Sequence, residues 1–145
     1  MIRVMIADDH EIVRKGLRLT FENEEDITLV AEAKNGREVL ALLENTPVDV
    51  LLMDIQMPEM DGITASAEVH AKFPDVKIII LTNYSEDETI YSALRSHVTG
   101  YLLKDINGDD LVAAVRGAAR GEPQLHPTIA RYLMKNVPSP VDPLD

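Results

Sequence analysis

Five short apolar runs, separated by stretches with helical spacing, most constrain how this chain of 145 residues can fold. The runs are rich in Val, Ile, Leu and Met and cover residues 2–7, 27–33, 48–53, 76–82 and 99–103. Strands that alternate with helices form a parallel sheet with helices on both faces. The first, third and fourth runs are nearly unbroken, as buried central strands are, whereas the second alternates, as an edge strand does. We therefore predict a doubly wound α/β fold.

The stretches between the runs carry the apolar spacing and the start and stop signals of helices. Val13, Leu17 and Phe21 lie four residues apart, on one helical face. Asn35 is followed three residues later by glutamate, as is Ser85, which is the spacing of a capping box. Gly121 follows the last of these helical stretches, and glycine is common at helix C-termini. We predict a first domain over residues 1–121.

The sequence changes character after residue 121. Pro127 suits the first turn of a helix, with apolar residues behind it, and we predict a short extra C-terminal helix over residues 122–136. Residues 137–145 read VPSPVDPLD and contain three prolines. Such a composition predicts an extended, partly stiff linker.

The composition excludes several functional classes. A formal net charge of −11 argues against direct binding of nucleic acid or of an anionic membrane surface. The chain contains no cysteine, which rules out disulfides, a thiolate nucleophile and cysteine-based zinc sites. Its apolar runs are too short to span a bilayer, so we expect a soluble cytoplasmic protein.

Polar side chains close four of the five runs. Asp8 and Asp9 follow the first, Asp54 the third, Thr82 closes the fourth and Lys104 the last. The carboxyl ends of parallel strands meet at one edge of a sheet, so we expect these groups to converge there. Each has a simpler explanation when taken singly, such as a helix cap or a turn aspartate. Their joint placement favours a functional site.

The chemistry of this set indicates binding of a metal and a phosphoryl group. Carboxylates about 4 Å apart repel by roughly 4 kcal/mol per pair at an effective dielectric near 20, which favours a divalent cation. Oxygen ligands suit Mg²⁺. An ammonium and a hydroxyl group beside the metal would hold a phosphoryl group, and an aspartate could accept it as an acyl phosphate. We interpret His10, which adjoins the acid pair, as a surface residue at a helix start.

The sequence resembles the receiver domain of two-component response regulators from about residue 2 to residue 121. The resemblance rests on ADDH, MDIQMPEMDGI, LTNYSEDE and GYLLKD. The segments NGREVLALLE, ALRSHVTGYLLKD and ARGEPQLHP are similar to the NarL/LuxR subfamily, whose members carry a C-terminal helix-turn-helix domain that binds DNA. The resemblance implies a flavodoxin-like sandwich around a five-stranded parallel sheet of order 2-1-3-4-5.

The resemblance also implies a metal and phosphoacceptor site. Asp54 would be the phosphoacceptor. Asp9 and Asp54 would bind Mg²⁺, or Mn²⁺ as an alternative, together with the main-chain carbonyl of Gln56. Asp8 would act through a metal-bound water.

Further residues match positions that bind the phosphoryl group or transmit its presence. Thr82 and Lys104 would each contact a phosphoryl oxygen, and Tyr101 occupies the aromatic switch position, although a core tyrosine would look the same. Asn83 stands where receivers often have a small residue and would crowd or hydrogen-bond the entry to the site. Tyr84 would screen the phosphoryl group from water, with simple exposed packing as the alternative.

The function implied is signalling by phosphorylation. A sensor histidine kinase would donate the phosphoryl group, and the receiver would respond by a change in conformation or homodimerisation. The output would be transcription control by a DNA-binding domain that follows the linker and is absent from this sequence; the alternative is a stand-alone receiver acting through protein contacts. The chain would not be a turnover enzyme, although it would promote its own phosphorylation and dephosphorylation. A phosphatase of the haloacid dehalogenase type is disfavoured because Gln56 stands where its second aspartate belongs.

Overall fold

The chain folds around a parallel sheet of six strands in the order β2-β1-β3-β4-β5-β6. The structure is a computed structural model and describes residues 1–82, 97–125 and Pro127. The strands are β1 (Ile2–Ala7), β2 (Ile27–Ala33), β3 (Val50–Asp54), β4 (Lys77–Thr82), β5 (Gly100–Leu103) and β6 (Gln124–Leu125). The helices of the described residues are α1 (Glu11–Glu22), α2 (Gly36–Leu43), α3 (Gly62–Lys72) and α4 (Gly108–Ala119).

The order of the first five strands confirms the predicted flavodoxin-like α/β fold, with β2 at an edge. All five residues of β3 are buried, as expected of a central strand. Successive residues of a strand point to opposite faces, so its unbroken apolar run feeds two cores. Leu51 and Met53 pack in the core beside α2 and α3, whereas Val50 and Leu52 pack in the core beside α1 and α4.

The sixth strand corrects our prediction for the C-terminal segment. Gln124 and Leu125 were expected to belong to a helix over residues 122–136, but they extend the sheet by pairing with β5. The edge of β5 offers backbone groups for pairing, and the Gln124 amide donates to the carbonyl of Thr99 at 3.0 Å. Gly100 permits this approach, since a β-carbon there would lie 2.5 Å from the Gln124 carbonyl oxygen. Residues 128–136 and the predicted linker 137–145 lie outside the described residues.

The helix boundaries agree with the capping signals where the structure describes them. The Asn35 side chain accepts from the Glu38 amide at 2.9 Å, and the Glu38 carboxylate accepts from the Lys34 amide at 2.8 Å. Gly121 follows α4 with φ +84°, a left-handed conformation that glycine adopts readily. Ser85 and Glu88 lie outside the described residues. Among those described, no helix has the length and apolar character to cross a lipid bilayer.

Candidate metal and phosphoryl site

The sheet brings the predicted site residues to one edge. Asp54 ends β3 and Thr82 ends β4, whereas Asp8 directly follows β1 and Lys104 directly follows β5. The strand ends are level, because Ala7 pairs with Met53, Asp54 with Leu81, and Thr82 with Leu103. Ligand atoms from Asp8, Asp9, His10 and Asp54 all lie within 4.8 Å of one another.

Lys104 links two of the acids at this edge. Its Nζ lies 3.0 Å from Oδ2 of Asp54 and 3.3 Å from Oδ2 of Asp8. Its backbone amide donates to the carbonyl of Thr82 at 2.9 Å, which continues the pairing of β4 with β5. The ammonium is therefore fixed next to Asp54 by the sheet itself.

Asp54 is a buried carboxylate, with 7% of the residue exposed. Its Oδ1 accepts a hydrogen bond from the Ile55 amide at 2.8 Å. Burial raises the pKa of Asp54 above its usual value, against the hydrogen bond and charge of Lys104, and the negative charge of Asp8 raises it further. One ammonium thus does not fully offset the cost of the charged form, and a divalent cation would stabilise it.

Lys104 itself remains a cation. Burial alone would lower the pKa of Lys104, but the hydrogen bond and charge of Asp54, together with Asp8, outweigh burial and raise it. The site therefore keeps a positive charge 3.0 Å from Asp54, and such a charge could stabilise a bound anion.

The segment after β1 presents two carboxylates in different environments. Asp8 is 3% exposed, and its Oδ1 accepts from the His10 amide at 2.8 Å. Its carbonyl accepts from Nη1 of Arg14 at 2.6 Å, which ties the end of β1 to α1. Asp9 is exposed. One acid is therefore fixed deep in the site while the other faces the opening.

His10 contacts the acids of the site, although its sequence position suggested only a surface residue at a helix start. It occupies the N-cap position of α1 and its side chain is 60% exposed, so it lies at the helix start and on the surface as we predicted. Its ring Nδ1, however, lies 2.9 Å from Oδ1 of Asp8 and 3.3 Å from Oδ1 of Asp9. The signal that could have shown this is its position directly after the acid pair.

Gly62 positions the end of β3 and was not singled out from the sequence. Its amide donates to the carbonyl of Ile55 at 2.7 Å, and a β-carbon at this position would overlap the carbonyl oxygen of Asp54. Asp61 caps α3 by accepting from the Thr64 amide at 2.8 Å. The sequence MDG after the acidic strand is the signal for this close return of the chain.

The remaining site predictions fall on four residues. Thr82 is 1% exposed and Tyr101 is 5% exposed. Tyr101 lies opposite Ile80 on β4, two residues before Thr82, and belongs to the core on the α2 and α3 side. Asn83 and Tyr84 lie outside the described residues.

The donor set fits a hard divalent cation. Carboxylate oxygens of Asp8, Asp9 and Asp54 converge. Gln56 lies two residues after Asp54 and is exposed. Mg²⁺ prefers oxygen ligands, takes one or two carboxylates and retains several waters. The acidic group can hold such an ion.

Comparisons with known proteins agree with this geometry. The family model of the response regulator receiver domain matches residues 4–116. The chain is 42% identical over 142 residues to an uncharacterized transcriptional regulatory protein, YhcZ of Bacillus subtilis, covering 98% of this chain and 66% of that protein. It is 39% identical over 137 residues to the transcriptional regulatory protein LiaR of Bacillus subtilis, covering 94% of this chain and 65% of LiaR.

A solved relative shares the fold. The isolated receiver domain of RcsB from Salmonella enterica serovar Typhimurium, determined with the phosphomimetic BeF₃⁻, superposes with a TM-score of 0.82 at 31% identity. That match covers 91% of this chain and 98% of the RcsB domain. RcsB dimers bound to DNA match with the same TM-score of 0.82 and identity of 31%, covering 92% of this chain and 68% of that one.

The chain spans just under two thirds of the length of the YhcZ and LiaR proteins. The family match, the strand order and the acidic edge of the sheet lead to one conclusion. This chain belongs to the family of response regulator receiver domains.

Proposed function

We propose that Asp54 accepts a phosphoryl group from a phosphohistidine of a sensor histidine kinase. The observation that carries this proposal is the ammonium of Lys104, 3.0 Å from Oδ2 of Asp54, beside the two acids that follow β1. A buried carboxylate with a fixed cation on one side and a metal-binding acid pair on the other is suited to accept a phosphoryl group.

The transfer forms one bond and breaks one. An oxygen of Asp54 bonds to phosphorus while the bond from phosphorus to the kinase imidazole breaks, and the imidazole keeps the electron pair. Lys104 neutralises charge on one phosphoryl oxygen, and the Thr82 hydroxyl donates to another. Mg²⁺ held by the acids would supply the remaining charge neutralisation. Asp9, Asp54 and the Gln56 carbonyl would hold the ion directly, and Asp8 through a water; Mn²⁺ would suit the same ligands.

The response is proposed to run through β4 and β5. Thr82 and Tyr101 lie on the same face of adjacent strands, so a shift of Thr82 toward the phosphoryl group would open space near Tyr101. Movement of that ring would change the neighbouring surface and favour one of two conformations. A coupling of about 1–3 kcal/mol between phosphorylation and this change would suffice.

The output is proposed to be transcription control in a longer protein. LiaR is named as a transcriptional regulator, and RcsB dimers bind DNA, so a phosphorylation-dependent homodimer that acts through a C-terminal DNA-binding domain fits this chain best. Residues 137–145 would link to that domain. The chain would store a signal in the cytoplasm and would not turn over a substrate. A stand-alone receiver acting through protein contacts is the second candidate.

Reaction with a small phosphoryl donor tests the proposed acceptor. The protein is incubated with Mg²⁺ and acetyl phosphate, and intact mass spectrometry counts the phosphoryl groups. We expect one on the wild type and none on Asp54→Asn. Asp49→Asn is the matched control, because Asp49 directly precedes β3 at its opposite end and lies outside the site. Phosphorylation that persists in Asp54→Asn would refute the proposal.

A further inference from the structure

His10 adds a nitrogen atom to the acidic cluster. Its Nδ1 lies 2.9 Å from Oδ1 of Asp8 and 3.3 Å from Oδ1 of Asp9. Ligand atoms of these three residues and of Asp54 all lie within 4.8 Å of one another. The three oxygen ligands expected for Mg²⁺ do not require this nitrogen. The ring has two explanations: a hydrogen bond that only orients Asp8, or a fourth ligand for a different metal.

The spacing of these atoms fits ligands of one ion. At metal–ligand distances of about 2.1 Å, neighbouring ligand atoms lie about 3.0 Å apart in octahedral geometry and about 3.4 Å apart in tetrahedral geometry. The distances from Nδ1 to the two carboxylates, 2.9 and 3.3 Å, each lie about 0.1 Å below one of these values. An ion could therefore replace the hydrogen-bonded contact of His10 with little movement of the backbone.

Because the added ligand atom is a nitrogen, it should strengthen the binding of some metal ions more than that of others. Imidazole nitrogen suits Zn²⁺, Ni²⁺ and Cu²⁺, whereas Mg²⁺ prefers oxygen. The side chain is 60% exposed, so the ring nitrogen that does not face the acids can hydrogen-bond to water. We propose that His10 is a nitrogen ligand that makes this pocket a mixed nitrogen and oxygen site for Zn²⁺. The inference rests on the proposed metal site at Asp9 and Asp54.

Calorimetric titration with two ions tests this proposal. Zn²⁺ and Mg²⁺ are titrated separately into the wild type, His10→Asn and His70→Asn at one pH. For His10→Asn we expect the Kd for Zn²⁺ to rise about tenfold or more, and the Kd for Mg²⁺ to change at least several-fold less. His70→Asn is the control, since His70 lies on α3 with its ring 5.6 Å from that of His97, away from the acids.

Each other outcome overturns the assignment. Equal losses for Zn²⁺ and Mg²⁺ in His10→Asn would mean that the imidazole only orients the carboxylates. A Zn²⁺ loss confined to His70→Asn would place zinc at the pair formed with His97. Nitrogen NMR gives an independent readout: Zn²⁺, but not Mg²⁺, should shift the Nδ1 resonance of His10, and no shift would contradict ligation. If the expected loss of Zn²⁺ affinity is not seen while Mg²⁺ still binds and Asp54 is still phosphorylated, the zinc assignment fails and the proposed function stands.

Discussion

The difference in free energy between protonated and ionised Asp54 determines how this residue affects the stability of the metal-free protein. Because burial and Asp8 raise its pKa above the usual 3.8, the ionised form destabilises the folded state at neutral pH. Asp54→Asn should therefore raise the free energy of unfolding of the metal-free protein. Urea unfolding measures this change.

The pH dependence of that gain has a definite sign. The folded pKa lies above the unfolded one, so the gain from Asp54→Asn is complete above the folded pKa and disappears as the pH falls below 3.8, where both states become protonated. Asp49→Asn is the control with the opposite sign. The hydrogen bond from Arg3 lowers the pKa of Asp49, so its removal should destabilise the protein at neutral pH. Equal effects of the two variants would contradict the assigned environments.

His10 shows what the signals of single residues missed and why. His10 looked like a surface histidine, which it is by exposure, but its contact with Asp8 depends on how β1 turns into α1. Asp54, Thr82 and Lys104 could be grouped from the sequence because each closes an apolar run, and strand ends meet regardless of side-chain detail. Local turn geometry has no such pattern.

The start of α3 depends on Gly62. A β-carbon at this position would overlap the backbone of Asp54, so Gly62→Ala should shift the end of β3 and destabilise the protein by roughly 2–4 kcal/mol. It should also weaken Mg²⁺ binding, since Asp54 moves with its backbone. Urea unfolding and Mg²⁺ titration measure the two effects.

Gly16→Ala provides the matched control for that prediction. Gly16 lies within α1, and a β-carbon there would meet no atom within 4 Å. The substitution should stabilise the helix by up to about 1 kcal/mol, because glycine has low helix propensity. Similar losses of stability and of Mg²⁺ affinity in Gly62→Ala and Gly16→Ala would show that the close approach of the chain at Gly62 does not set the position of Asp54.

Strands β1 to β5 could be predicted from the sequence, whereas the short strand β6 could not. Apolar runs and strand order follow from local pattern and from the way parallel sheets connect. The pairing of β6 depends on Gly100, which is distant in sequence and lacks the side chain that would block Gln124. A pattern within residues 122–136 cannot carry that information, whereas Pro127, where the pattern predicts the first turn of a helix, is helical.

For the molecule as a whole, metal binding should be linked to stability. The acidic edge forms only in the folded chain, so Mg²⁺ should raise the free energy of unfolding by about 2.7 kcal/mol at a concentration one hundred times its Kd. Thermal unfolding with and without Mg²⁺ measures this gain. Asp9→Asn should remove most of it, whereas Asp75→Asn, in the loop before β4 and away from the site edge, should not. A gain unchanged in Asp9→Asn would mean that the ion binds elsewhere.

We propose that the chain stores a phosphoryl group on Asp54, and chemical trapping can locate that group. The protein is phosphorylated with acetyl phosphate and Mg²⁺, treated with borohydride, which reduces an aspartyl phosphate to homoserine, and digested for peptide mass spectrometry. Homoserine should appear at residue 54. Homoserine at residue 8 or 9 instead, or a phosphoryl group retained on His10, would contradict the account.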